Sequence, residues 1–111
     1  TPAVSNKAAK AMRHTIRNWR IHLKPDKSTE DISRMFNPVI RGWINYYGRF
    51  YKSALYPVLR HMNRALVHWA RRKYKRLSRH RRRAEHWLGR VARREPQLFA
   101  HWQMGILPSV G

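Results

Sequence analysis

Residues 37–77, NPVIRGWINYYGRFYKSALYPVLRHMNRALVHWARRKYKRL, decide the fold. Two helical patterns run through them in succession. In the first, Val39, Ile40, Trp43, Ile44, Tyr47 and Tyr51 recur with the period of a helix face. In the second, Leu55, Leu59, Met62, Leu66, Trp69 and then Lys73 or Tyr74 do the same, through to Leu77. Between Ile32 and Ala84 there is no Asp or Glu at all. A segment with apolar spacing for a core and only positive charge outside is built to meet a polyanion.

The boundaries of these helices are expected from turn and cap chemistry. Asn37 reads as an N-cap with Pro38 in the first helical position, since Pro38 disfavours helical geometry in the residue before it. Gly42, inside the pattern, would permit a close approach of another helix or of RNA, because glycine is otherwise unfavourable there. Ser53 reads as the cap of the next helix, which places Pro57 in a first turn. Before residue 37, a first helix is expected over 5–20. Ser5 or Asn6 would cap it, Ala9, Met12, Ile16 and Trp19 would form its apolar stripe, and Lys7, Lys10, Arg13, Arg17 and Arg20 its flanks. Residues 21–27 form a connection with Pro25-Asp26 as the turn. Ser28-Thr29-Glu30-Asp31 then has the form of a capping box opening a short helix that stops near Asn37. After residue 77, Ser78 reads as the cap of a last helix with Ala84, Trp87, Leu88 and Val91 inward, ending before Glu95-Pro96. The tail, QLFAHWQMGILPSVG, offers Leu98, Phe99 and Trp102 for docking on the bundle, with fraying expected at about 1–4 and 103–111. No alternating strand pattern occurs. The fold class is all-α, a small bundle of four to five helices in a single domain.

Composition narrows the function. The 111 residues carry 25 Lys and Arg against five acids, a formal charge of +20. Repulsion on that scale destabilises a folded domain unless a partner neutralises it, and nucleic acid does so with release of counterions. Five Trp, five Tyr and three Phe argue against a disordered basic tail. The absence of Cys excludes disulfides and thiolate metal sites and weakly favours a cytoplasmic location. There is no apolar run long enough to span a membrane and no signal-peptide core at the start. The chain does not open on Met, which suggests a fragment of a longer protein.

An active site is not expected. The acids are Asp26, Glu30, Asp31, Glu85 and Glu95, and three of them are explained by the turn and capping box. There is no phosphate-binding glycine loop, no Cys nucleophile and no serine in a nucleophile elbow. Of the seven histidines, His61 and His68 share a helix face two turns apart, which is not the single-turn spacing of a helical zinc pair. No metal and no cofactor are expected. The histidines read as partly buried hydrogen-bonding residues or as RNA contacts that strengthen below pH 7.

The binding residues are expected in the basic run 71–83, where nine of thirteen residues are Lys or Arg: Arg71, Arg72, Lys73, Lys75, Arg76, Arg79, Arg81, Arg82 and Arg83. A solvated helix face would interleave acids among them, and none is present. Arg41, Arg49, Lys52, Arg60 and Arg64 extend the set along the central helices. Arginine predominates, and its planar fork suits phosphate and base stacking better than lysine. Trp43, Tyr47 and Trp69 lie on the apolar stripes and are expected in the core. Tyr46, Phe50 and Tyr74 lie off or at the edge of them, placed to stack on unpaired bases.

The run Asn37-Pro38-Val39-Ile40-Arg41-Gly42-Trp43-Ile44-Asn45-Tyr46-Tyr47 resembles the signature of the maturase-specific domain of group II intron-encoded proteins. Trp69-Ala70-Arg71-Arg72-Lys73 and Leu98-Phe99-Ala100-His101-Trp102 are similar to that family's C-terminal pattern. The resemblance implies a mostly helical thumb that follows the fingers and palm of a bacterial group II intron reverse transcriptase. It implies a partner, group II intron RNA, gripped in its splicing-active fold, and a template–primer duplex held for the polymerase half. The polymerase's metal-binding aspartate motif and any HNH endonuclease are missing from these residues, so the resemblance implies binding and positioning without catalysis. The rival readings are a helical DNA-binding module of a mobile-element recombinase, a structural RNA-binding protein of ribosomal type and, last, a membrane-adhering domain. The first would need a polar recognition helix after a tight turn, and the helix after Ser53 presents Leu and Met instead.

Overall fold

A computed structural model describes the backbone of residues 2–108 and the side chains of 5–108. The chain is all-α, with no strand among the described residues. In order come α1 (Pro2–Trp19), a 3₁₀ turn (Ile21–Leu23), α2 (Thr29–Tyr47), α3 (Lys52–Lys73), a second 3₁₀ turn (Lys75–Leu77), α4 (Arg81–Arg94) and the short α5 (Ala100–Gln103). Helix α3 is the axis. Helices α1, α2 and α4 and both 3₁₀ turns pack on it, while α5 packs on α2. Its buried stripe is wider than the expected one: Val58, Asn63, Val67 and Ala70 join Leu55, Leu59, Met62, Leu66 and Trp69. A helix touched from several sides needs a stripe of that width.

Several boundaries differ from expectation. Helix α1 starts at Pro2, so Ser5 lies inside it, buried, rather than at its start. Proline suits the first helical position because its missing N–H has no partner there in any case. The larger difference is at Pro38. Helix α2 runs through it without a break, so Asn37 is not an N-cap. Pro38 and Arg34 both lie on the exposed side, where water can take the carbonyl that loses its donor. The buried residues Ile32, Phe36 and Ile40 meanwhile continue as one stripe across the position. Asn37 caps a different helix: its Oδ1 accepts from the amide of Ala100, the first residue of α5, at 3.0 Å, and its Nδ2 donates to the Leu98 carbonyl at 2.9 Å. The capping box at the start of α2 is present as read. Ser28 Oγ accepts from the Asp31 amide, and Asp31 accepts from the Ser28 amide in return. That bond from the Ser28 amide is the main reason the Asp31 carboxyl titrates below its usual range.

Helix α3 begins at Lys52, capped by Tyr51 without a side-chain bond, so Ser53 sits exposed in the first turn and Pro57 lies inside the helix. It ends at Lys73 rather than Leu77, because Tyr74 turns extended and a 3₁₀ turn intervenes. Ser78 does not cap α4; its hydroxyl donates to the Lys75 carbonyl within that turn, and His80 takes the cap position. Gly42 lies open with no atom near an added Cβ, so it serves no close helix–helix approach. Trp43 and Tyr47 are only half-buried at the core's edge, Trp43 stacking on Trp19, which stacks in turn on Phe36.

The tail docks as expected. Phe99 and Trp102 are buried and meet edge to face, and α4 ends before Glu95. Residues 103–108, within the stretch expected to fray, are tied back: Gln103 donates to the Gln97 carbonyl and Asn63 donates to the Ile106 carbonyl. The expectation for residues 109–111 lies outside the described residues. Asn63 Oδ1 also accepts from Trp102 Nε1 at 2.9 Å and contacts His101 Nε2 at 2.7 Å. Because that oxygen has no proton to give, His101 must donate through Nε2. Its Nδ1 is buried with no partner among the described residues.

This network makes the fold acid-sensitive. Burial pushes the His101 pKa down to about 3. In the unfolded chain the ring protonates near its ordinary value of about 6.5. Between those values the unfolded state binds more protons, so stability rises with pH and is lost on acidification, by up to about 1.4 kcal/mol per pH unit. His101→Gln is expected to flatten the slope between pH 6.5 and 5, as read by denaturant unfolding at several pH values. An equally steep slope in the variant would place the acid sensitivity elsewhere.

Candidate nucleic-acid interface

The solvent side of α3 carries Arg60, Arg64, His68 and Arg72 at four-residue steps, all exposed. Side chains at that spacing form one ridge. Three shallow clefts border it. Arg60 and Arg64 face Glu85, Leu107 and Pro108 across one. Arg64, His68 and Arg71 meet Arg81 and Glu85 of α4 in another. His68, Arg71 and Arg72 face Pro25 and Ser78 in the third. Five of the residues expected from sequence, Arg60, Arg64, Arg71, Arg72 and Arg81, are thus brought together along α3 and the start of α4. Lys75, Arg76 and Arg79 stand exposed on the adjoining turn, and Arg82 and Arg83 on the first turn of α4.

Two members of the set have structural duties. Lys73 Nζ donates to the carbonyls of Pro25 and Lys27, at 2.9 and 3.0 Å, and lies over the rings of Trp69 and Tyr74. It braces the loop before α2. Arg71 donates to the Ser78 carbonyl at 3.1 Å, fixing the turn between α3 and α4, while its Nε is buried with no partner among the described residues. Tyr74 is not an open stacking platform either. It leans on Trp87 at 5.1 Å, and Lys73 and Arg76 already lie against its ring.

The remaining residues form a second locus. Arg41 and Tyr46 are exposed on α2, and Arg49 and Lys52 flank the turn into α3. Arg49 lies over Phe50, and Tyr46 and Phe50 are 75% and 76% exposed. At about 1.5 Å per residue this aromatic corner is roughly 30 Å along α3 from Arg72. A single phosphate contact cannot serve both loci; a nucleic-acid strand or duplex can.

The start of α4 is the least explicable feature on grounds of stability. Arg81, Arg82 and Arg83 fill its first turn, which contains no acid. The helix dipole disfavours cations at that end. Among the described residues, the ion pairs Lys27–Asp26 and Arg34–Asp31 lie at the approach to α2. Three cations in succession at this end break a local rule of helix termini.

Sequence reading missed a group on the other flank of α3. His14 and Arg17 of α1, Arg20 and His22 at the first 3₁₀ turn, and His61, Arg64 and His68 of α3 line a cleft of about 540 Å³. The rings of His22 and His68 stack at 4.7 Å, nearly parallel at 4°. Burial, then Arg64, Arg17 and Arg13, hold the His61 pKa below its ordinary value. Burial, then His22, Arg72 and Arg71, do the same for His68. Both are therefore neutral at pH 7. Only the shared face of His61 and His68 was legible in advance; the partners from α1 and the turn arrive by tertiary packing. Among the described residues, no three His, Asp or Glu converge as a metal site. No described helix is long and apolar enough to cross a membrane.

Fold and surface together define a strongly basic, all-α domain whose central helix turns arginines outward. A family model described as the group II intron, maturase-specific domain matches residues 9–87. The chain belongs to that family, and its function is therefore tied to group II intron splicing. The matched segment contains the RGWINYY run and residues 69–73; Leu98 to Trp102 lie beyond it. No curated protein and no solved structure matches the chain.

Proposed function

We propose that this domain binds group II intron RNA through the ridge of α3 and the start of α4, and supports the intron's splicing-active fold while the RNA performs the chemistry. The observation that carries the reading is the first turn of α4, where three consecutive arginines oppose the helix dipole beside Arg64, Arg71 and Arg72. Phosphates arrayed along a strand neutralise such a ridge with release of counterions. As the family implies, the domain would act as the thumb of a reverse transcriptase, holding template–primer for fingers and palm carried by the same parent protein. The aromatic corner at Tyr46 and Phe50 supports this reading, since exposed rings, one of them under Arg49, suit unpaired bases.

The test is a salt-dependent titration against a structured group II intron RNA, an unrelated RNA duplex and duplex DNA. The expected result is a preference for intron RNA that persists as salt rises. Equal affinities that collapse together with salt would reduce the domain to a polycation and overturn the maturase reading. A preference for the DNA would favour a mobile-element DNA-binding role.

A further inference from the structure

We propose that the cleft between α1, the first 3₁₀ turn and α3 is a proton-linked binding site for a phosphodiester of the RNA strand, with His61 and His68 taking up protons as the phosphate enters. This rests on the RNA-binding reading above and adds to it a site and a pH dependence.

The geometry carries the site. The cleft, about 540 Å³, falls within the size range of small-ligand pockets and is ample for one nucleotide unit. Three separate elements contribute to it, so it exists only in the folded chain. Its charged and titratable groups are all potential cations. From α1 come His14 and Arg17, with Arg13 close enough to act on His61. The turn supplies Arg20 and His22. From α3 come His61, Arg64 and His68, with Arg71 and Arg72 acting on His68, which also faces Arg81 and Glu85 of α4 across the neighbouring cleft. Among the described residues lining it there is no carboxylate. Arg20 closes α1 with a φ of 49°, a left-handed conformation that is unfavourable for any residue with a side chain.

The chemistry follows from what the cleft cannot do by itself. Arginines on two sides and the parallel His22–His68 stack leave no place for a further proton without repulsion. A phosphodiester reverses that balance. Its charge compensates Arg17, Arg20 and Arg64, and its oxygens accept hydrogen bonds from imidazolium N–H groups. Protons are thus bound together with the anion, and affinity must rise as pH falls toward the pKa values of the free histidines.

The experiment measures binding of group II intron RNA to the 111-residue chain at constant salt from pH 8 to 5.5, for the native sequence and for His61→Gln/His68→Gln. Far-UV circular dichroism and thermal melting check that both chains fold. For the native chain, affinity is expected to rise up to about tenfold per pH unit for each histidine that becomes protonated. Calorimetry in buffers of different ionisation enthalpy should show uptake of one to two protons. The double variant should lose most of the pH dependence between pH 8 and 5.5. An independent reading on the native chain is the imidazole proton NMR titration, in which RNA should raise the pKa of His61 and His68. RNA binding with no proton uptake and no such rise, or an unchanged pH profile in the double variant, overturns the cleft while leaving the arginine ridge intact. Failure to bind RNA at any pH overturns both.

Discussion

Reversing Arg72, Arg76 and Arg79 to Glu is expected to cut RNA affinity by roughly 100-fold or more at 0.1 M salt and to leave the helical fold intact. Each phosphate that the protein no longer neutralises lowers the slope of log K against log salt by about 0.7 to 0.9, so three such phosphates remove about 2 to 3 from it. Extrapolated from molar to tenth-molar salt, that difference is two to three decades in binding constant. The fold should tolerate the change because all three side chains are exposed. Among the ring and hydrogen-bond partners of these three, the Tyr74 ring under Arg76 is the packing partner given up. Six units of positive charge are also removed from a chain at +20, which relieves self-repulsion. The melting temperature should therefore hold or rise while binding falls. A salt slope unchanged from the native protein would exclude these residues from the interface, whatever the affinity did.

Trp69→Ala is the largest expected stability effect, about 3–5 kcal/mol. The side chain is fully buried where α3 faces the first loop and α4. Its removal leaves a cavity, and it also strips the Lys24 carbonyl of the indole donor that reaches it at 2.8 Å. The total stability of a domain this size is about 5–15 kcal/mol, so the variant should unfold far below the native melting temperature. Trp43→Ala is the informative comparison. Helical periodicity assigns both tryptophans to the core, yet Trp43 is half-buried and its principal partner is the Trp19 ring. About 1–2 kcal/mol is expected for it, from partial loss of apolar area and one ring stack. Denaturant unfolding of the two variants side by side checks the contrast; equal losses would mean that the α2 edge is as tightly packed as the centre.

These two tryptophans also show what could be read in advance. Period 3.6 located the spine of the buried stripe in α1, α3 and α4, because a stripe is a property of consecutive residues, but missed its width at Val58, Asn63, Val67 and Ala70. It could not tell a stripe's centre from its edge, which depends on the neighbouring helix. Caps were less legible for a related reason. Ser28 was identified because its partner Asp31 is three residues away. Asn37 was misassigned because its partners, Leu98 and Ala100, are some sixty positions along the chain. Pro38 was given a breaking role that an exposed position on a well-packed helix does not allow it. The proposed binding residues divide in the same way. The run 71–83 is dense enough to be seen without coordinates, whereas the withdrawal of Lys73 into the loop carbonyls and the gathering of four histidines around α3 are facts of packing alone.

The docked tail sets the segment that marks ancestry apart from the segment that folds. The family-model match ends at residue 87, yet Phe99 and Trp102 fill the seam beyond it, and the side-chain amides of Asn37 and Asn63, both within the match, find their partners among residues 98–106. A chain cut at residue 87 would keep the RGWINYY run and residues 69–73 but lose the plug that closes its own interior, with two amides and an apolar socket opened to water. The cooperative unit of this domain is therefore longer than the matched segment, and residues beyond that segment tie down α2 and α3.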